Sequence, residues 1–320
     1  MNQNTTKIRL GISACLLGEK VRYDGGHKLD RFITETLGKY VEFIPVCPEA
    51  ECGLGIPREA MHLVAAPDGP RLVTVRSQVD HSERMLAWAR KRVVELEQED
   101  LCGFIFKSDS PSSGMERVKI YSGKGGGAAK TGVGLFAREF MQHFPLLPVE
   151  EEGRLHDPGL RENFLERLFT MQRWRETLAL GAKPGHLVDF HTRHKLLIMS
   201  HSPKHYQTLG KLVAQMKELP LAKIYEQYQS LLMEALRFKT TCKKNVNVLL
   251  HVMGYFKKNL SSAEKEELLQ IINNYRQGYI PLIVPITLLN YFVRKYDQAY
   301  LKSQYYLDPH PLELKLRNHV

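Results

Sequence analysis

Cysteine is scarce in this sequence, five in 320 residues, and no two of the five stand in the C-x2-C spacing of structural zinc sites. Scattered over Cys15, Cys47, Cys52, Cys102 and Cys242, they do not read as a disulfide framework. Long apolar runs are also missing. The most apolar late stretch, "YIPLIVPITLLNYFV", is short, holds two prolines and is flanked by Arg and Lys, which makes it a poor membrane span. The N-terminus, "MNQNTTKIRLGISA", lacks the basic start and apolar core of a secretory leader. The expected compartment is the cytoplasm, where thiols stay reduced and serve as metal ligands, reactive groups or packing residues. There is no low-complexity segment and no clear repeat. Hydrophobic and charged contents of 43% and 25% are those of an ordinary folded protein with enough apolar material for two cores.

Charge is unevenly placed. Residues 1–160 carry 21 Lys+Arg against 22 Asp+Glu, whereas residues 161–320 carry 24 against 13. The whole excess behind the net +10 therefore lies in the second half. A basic half points to a polyanion partner, nucleic acid first, although basic surfaces also serve solubility.

The first half alternates apolar runs with helix-like stretches. "KIRLGISACL", "VEFIPVCPE" and "LCGFIFK" read as strands, and "ERVKIY" as a shorter strand ahead of a glycine-rich loop. "HKLDRFITETLGKY", "SERMLAWARKRVVELEQED" with Ser82 as N-cap, and "VGLFAREFMQHF" read as helices. This order predicts an α/β domain, Rossmann-like with a mostly parallel sheet, over 1–159. From Gly159 onward apolar residues recur at three- and four-residue spacing, which predicts an all-α C-terminal domain over 160–320.

Three polar loops follow three of these strands: "CLLGEKVRYDGG", "CPEAECGLGIPRE" and "KSDSPSSG". In a parallel sheet such loops converge on one crevice. Cys15, Cys47, Glu49, Ser108, Ser110 and Ser113 are thus expected to meet. Two thiols at equivalent strand ends suggest a metal or cluster site, and two buried packing thiols are the plainer alternative.

"SACLLGEKVRYDGGHK", "PVCPEAECGLGIPRE" and "KSDSPSSGMERVKIY" closely resemble the thiouracil desulfidase family. "LVDFHTRHKLLIMSHSPKHY", "NVLLHVMGYFKKNL" and "QGYIPLIVPITLLNYF" resemble the YbgA-like helical domain that its longer members, acting on 4-thiouridine in tRNA, carry at their C-terminal end. The resemblance implies a [4Fe–4S] cluster held by three cysteines, its fourth iron open to the sulfur of a thiolated base. Cys15 and Cys47 match the first two ligands. The third lies in "SPSCG", which here reads "SPSSG", so its match is Ser113. The resemblance makes Glu49 the catalytic acid/base and Ser110 the active-site serine. It implies hydrolysis of the C–S bond, with a thiolated uracil base in tRNA as substrate. Desulfuration of free thiouracil, or a tRNA-binding protein made inactive by the missing cysteine, are the alternatives.

Cys52, in the same loop as Cys47, is the candidate to replace the missing thiol, while Cys102 should lie at the opposite end of its strand. Arg22, Arg58, Lys107, Ser108 and Lys130 are candidates for contact with base, ribose or phosphate, and Asp24 for bracing its loop. "GKGGGAAKTG" misses the Gly-Lys-Ser/Thr ending of a phosphate loop, leaving Lys124 or Lys130 as single phosphate contacts. His191, Arg193, His194, Lys195, His201 and His205 are expected to form a solvated basic face against RNA, with Pro203 interrupting a helix and no carboxylate to complete a metal site. Arg193, Lys195, Lys243 and Lys244 are the expected RNA contacts. Tyr255 and Phe256 read as core.

Overall fold

A computed structural model describes residues 7–122 and 127–319. The chain divides into two compact units, Met1–His156 and Asp157–Val320. Lys124 lies outside the described residues.

In the first unit, β1 (Ile8–Ser13), β2 (Val41–Val46), α1 (Pro48–Glu51), β3 (Met61–Val64), β4 (Arg71–Thr74), α2 (Ser82–Glu97), β5 (Gly103–Phe106), β6 (Val118–Tyr121), β7 (Ala128–Gly132), α3 (Leu135–His143) and β8 (Val149–Glu151) follow in order. β2, β1, β5 and β8 form one sheet, in that order and wholly parallel. All four residues of β5 are buried, as expected for a central parallel strand covered on both faces. Phe104 stacks on Phe106 at 4.4 Å and meets Phe140 of α3 at 4.7 Å. β1 accepts this ring through Gly11, where any Cβ would collide with the Phe104 side chain.

The expected mostly parallel sheet is thus present, but a second sheet accompanies it. Its order is β4-β3-β6-β7, with β3–β6 parallel and the two outer pairs antiparallel. Ala128–Gly132, expected as loop, is its edge strand. The stretch 27–40 forms only a π-helical turn at Phe32–Thr36 and a 3-10 turn at Leu37–Lys39. Ser82 is not an N-cap. It is the first helical residue, its hydroxyl accepts from Leu72 N–H at 2.7 Å, and Asp80 Oδ1 accepts the Ser82 N–H at 2.8 Å.

The second unit is helical: α4 (Pro158–Ala179), α5 (Pro184–His201), α6 (Pro203–Ala214), α7 (Leu221–Arg237), α8 (Cys242–Gly254), α9 (Ser262–Arg276), α10 (Ile283–Lys295) and α11 (Ala299–Lys302). No described helix is long and apolar enough to cross a membrane. Trp174 packs on Phe190 and Tyr228 at 5.1 and 5.3 Å. Phe256 is buried as expected, whereas Tyr255 is partly exposed and stacks on Tyr300 at 5.1 Å.

The four histidines expected on a solvated face are interior groups. His201 Nε2 meets Glu166 at 3.0 Å and its Nδ1 faces the Phe238 carbonyl at 2.7 Å. Glu166 also accepts from Arg317 Nη2 at 2.9 Å, and Arg317 Nε lies 3.3 Å from Glu162. His205 pairs with Glu234 at 3.4 Å, and the Tyr228 hydroxyl lies 3.0 Å from His191 Nδ1. Carboxylates missing from the local sequence therefore come from α4 and α7. Pro203 breaks the helical run as expected: α5 ends at His201, and Pro203 starts α6 behind the N-cap Ser202, whose hydroxyl accepts from His205 N–H.

Although burial disfavours its charge, Glu166 is held below the usual carboxylate range by His201 and Arg317. Burial, and then the neighbouring Glu166, push Glu162 above the usual carboxylate range. Breaking a buried ion pair leaves an uncompensated charge, so Glu166→Ala is expected to cost about 3–5 kcal/mol in chemical denaturation. Burial lowers His191 to about 4. Its folded value lies below its unfolded one, so it contributes fully above about pH 6.5 and withdraws stability as pH falls towards 4. An NMR titration is expected to find this ring neutral at pH 5; a midpoint near 6.5 would contradict the assignment.

Candidate active site

Parallel pairing puts the carboxyl ends of β1, β2, β5 and β8 along one edge of the first sheet, and the chain turns there four times. After β1 a 3-10 turn, Ala14–Leu17, carries Cys15, whose carbonyl accepts from Lys28 N–H at 2.8 Å. After β2, Cys47 caps α1, with Pro48 at its first position and Glu49 next. Glu51 Oε1 accepts the Cys47 N–H at 2.7 Å. After β5, Lys107 N–H donates to the Ser13 hydroxyl at 2.9 Å, locking the ends of β1 and β5 together. After β8, Glu152 accepts from Lys107 Nζ at 2.5 Å and from the Ser108 N–H and hydroxyl at 2.7 and 2.8 Å.

These turns enclose a cavity of about 350 Å³, within the range of small-ligand sites. Cys15, Cys47, Glu49, Ser110, Ser113, Arg22, Arg58, Lys107 and Ser108 all line it. Cys52 does not. Its thiol donates to the Glu49 carbonyl at 3.4 Å and the residue packs against the small core of Leu63, Leu72, Met85, Val118 and Leu135. Cys102 is buried just ahead of β5, its N–H bonded to the Arg9 carbonyl, at the far end of that strand. Lys130 lies on β7 beside a neighbouring cavity.

Sequence reasoning passed over Ser112, which is fully buried and donates to Glu49 Oε1 at 2.5 Å. Its proton is thereby committed, so across the 3.0 Å contact with Ser110 the Ser110 hydroxyl is the donor. A chain of hydroxyls thus runs from Ser110 through Ser112 to Glu49. The Ser110 oxygen also accepts from Ser113 N–H at 3.1 Å. Backbone geometry fixes this loop: α3 begins on it, with Phe136 N–H donating to the Ser112 carbonyl at 2.9 Å and Gly134 packed where a Cβ would strike the Ser112 backbone. The other Glu49 oxygen lies 3.6 Å from Arg58 Nη2 and 3.8 Å from the Cys47 thiol. Arg58 is also a brace, donating to the Val21 carbonyl at 3.0 Å. Asp24 holds its own turn, accepting from Gly26 N–H at 3.0 Å and pairing with Arg22 at 3.4 Å.

Burial, with Glu49 nearby, pushes the Cys15 thiol up to about 11 despite Lys107, and the Cys47 thiol up to about 12. Such thiols become thiolates when a cation takes the proton's place.

On the helical unit the expected RNA contacts differ in freedom. Arg193 is exposed and pairs with Asp189 at 2.9 Å, and Lys243 is exposed. Lys195 lies over the Tyr300 ring at 4.7 Å. Lys244 caps α5, donating to the His201 and Lys239 carbonyls at 2.6 and 3.0 Å.

Residues 10–152 match the family model of the 2-thiouracil desulfurases, and residues 195–311 that of DUF1722, a protein family of unknown function. The uncharacterized protein YbgA of Escherichia coli (strain K12) is 31% identical over 158 residues, covering 49% of this chain and 94% of that protein. The chain belongs to the YbgA family. A solved [4Fe-4S]-dependent thiouracil desulfidase, TudS, is 28% identical over 47% of this chain and 95% of its own, with a TM-score of 0.40. The architecture is accordingly a thiouracil desulfurase-type domain joined to a YbgA-type one.

Among the described residues no three His, Cys, Asp or Glu side chains form a metal-binding group. At the three positions that the resemblance makes cluster ligands, this cavity presents two thiols and the buried Ser113 hydroxyl. Thiolates suit an iron–sulfur cluster, so the pair fits one, with an oxygen as third protein donor. In the metal-free protein near neutral pH, alkylation followed by peptide mass spectrometry should modify exposed Cys242 first and Cys15 and Cys47 far more slowly. Equal rates at all three would contradict the raised thiol values.

Proposed function

We propose that this protein is an iron–sulfur-dependent desulfidase that converts 4-thiouridine in tRNA to uridine. The observation that carries the reading is the placing of two buried thiols and Glu49 on one cavity at the ends of parallel strands. Cys15 and Cys47 would hold a [4Fe–4S] cluster with Ser113 beside them. When bound, the cluster supplies a Lewis-acidic iron for the sulfur of the base. Glu49 takes a proton from the water that attacks C4, and its position is kept by Ser112 on one oxygen and Arg58 on the other. Once Glu49 holds that proton, the Ser112 and Ser110 hydroxyls reverse their donation and pass it outward to the leaving sulfur. The oxygen of water replaces sulfur at C4 and sulfide leaves, so no net electron is needed.

The second unit supplies the grip on tRNA. Its surplus of Lys and Arg over Asp and Glu favours a polynucleotide substrate over free thiouracil. Ser113 favours one further reading, a tRNA-binding protein without turnover. Glu49→Gln separates the two: it is expected to keep the iron content of the parent after anaerobic reconstitution and to lose about 10²–10⁴-fold in desulfuration rate. Unchanged turnover would remove Glu49 from the chemistry, and a parent that takes up no iron favours the binding protein. Charge reversal at exposed Arg193 and Lys243 is expected to weaken tRNA binding by the full chain and to flatten its salt dependence by about 0.9 per lost phosphate contact to duplex. An unchanged slope would take both residues out of the RNA contact.

A further inference from the structure

A second cavity, of about 370 Å³, lies beside the first and shares Met61, Asp109 and Pro111 with it. Its remaining wall is the mixed sheet. There His62 of β3 and Tyr121 of β6 lie ring against ring, 4.9 Å between centroids and tilted by 32°. Lys119 and Lys130 are direct cross-strand partners on β6 and β7. Like charges placed opposite each other weaken an antiparallel pair. Neither lysine has an ion-pair partner among the described residues, and both are exposed. A bound anion would turn that repulsion into attraction. Asp109, also without an ion-pair partner among the described residues, stands on the wall between the two cavities.

We propose that this cavity is a subsite for the ribonucleotide next to the thiolated one. Its base stacks on the His62–Tyr121 platform, its phosphate sits between Lys119 and Lys130, and Asp109 accepts from a ribose hydroxyl. Aromatic faces with a basic flank are the general means of holding single-stranded nucleic acid without reading its sequence. The shared wall gives the order: a strand whose thiolated base enters the first cavity carries its neighbour over the second. The subsite rests on the polynucleotide reading above, and it places part of the RNA grip on the catalytic unit itself.

The test uses the full chain and a fluorescently labelled uridine trinucleotide, followed by anisotropy, with circular dichroism to check folding. Tyr121→Ala is expected to weaken binding roughly 5- to 100-fold, and His62→Ala to do so less. Lys119→Ala with Lys130→Ala is expected to lower the salt slope by about 1.4, the value for two single-strand phosphate contacts. Lys39→Ala, an exposed lysine just ahead of β2, at the end of the parallel sheet away from both cavities, is expected to leave binding as it was. No binding by the parent, or equal binding by all these variants, would overturn the subsite. Turnover of free thiouracil by the parent is measured alongside. A parent that binds the trinucleotide through these residues but desulfurates nothing keeps the subsite and loses the desulfidase reading. A parent that desulfurates thiouracil while binding stays indifferent to the substitutions does the reverse.

Discussion

Four strands of one sheet run in the same direction, and everything at the candidate site depends on that. Parallel pairing forces each chain reversal to the same edge, so residues from four distant stretches of sequence are delivered to one place. The Ser13–Lys107 hydrogen bond ties the two central strand ends, and Glu152 ties the serine loop to the end of β8. The thiols need no mutual contact to be held on one cavity, because the sheet register sets their separation. Gly11 matters for the same reason: it lets the Phe104 ring lie against β1 and keeps β1 and β5 in register.

Within that frame the electrostatics are arranged around one carboxylate. Glu49 has a hydroxyl on one oxygen and a guanidinium near the other, and it sits close enough to both thiols to resist their ionisation. Burial alone would leave Cys15 and Cys47 as inert packing thiols. Bringing a carboxylate and a donor chain to the same cavity is what gives them a chemical setting. The helical unit shows the opposite use of burial. Its buried acids Glu162 and Glu166, His201 and Arg317 are spent on one another, and it is the exposed charge, Arg193 and Lys243 included, that the proposed grip on tRNA would use.

Much of the first sheet and of its site was legible because each strand ends where an apolar run meets a polar loop. Cys15, Cys47 and Glu49 stand at those junctions, and convergence follows from topology alone. The second sheet was harder to read because three of its strands have four residues and β7 is mostly exposed, so no alternating pattern stands out. Ser112 was missed because sequence cannot say which of two adjacent serines turns towards a carboxylate 63 positions away. The histidines of α5 and α6 were misjudged for a related reason. Their burial is set by Glu166, Glu234 and Phe238, whose proximity only the packed helices create. Cys52 shares a loop with Cys47 yet faces a different core, since one short helical turn lies between them.

The central claim is hydrolytic removal of sulfur from a thiolated base in tRNA. Its most direct test is to incubate the anaerobically reconstituted full chain with 4-thiouridine-containing tRNA in ¹⁸O-labelled water, without any added reductant, and to analyse the nucleosides by mass spectrometry together with released sulfide. The account predicts uridine carrying one ¹⁸O for each sulfide released. Loss of sulfur without the label, or a strict requirement for a reductant, would contradict hydrolysis, and an unchanged 4-thiouridine content would contradict the activity itself.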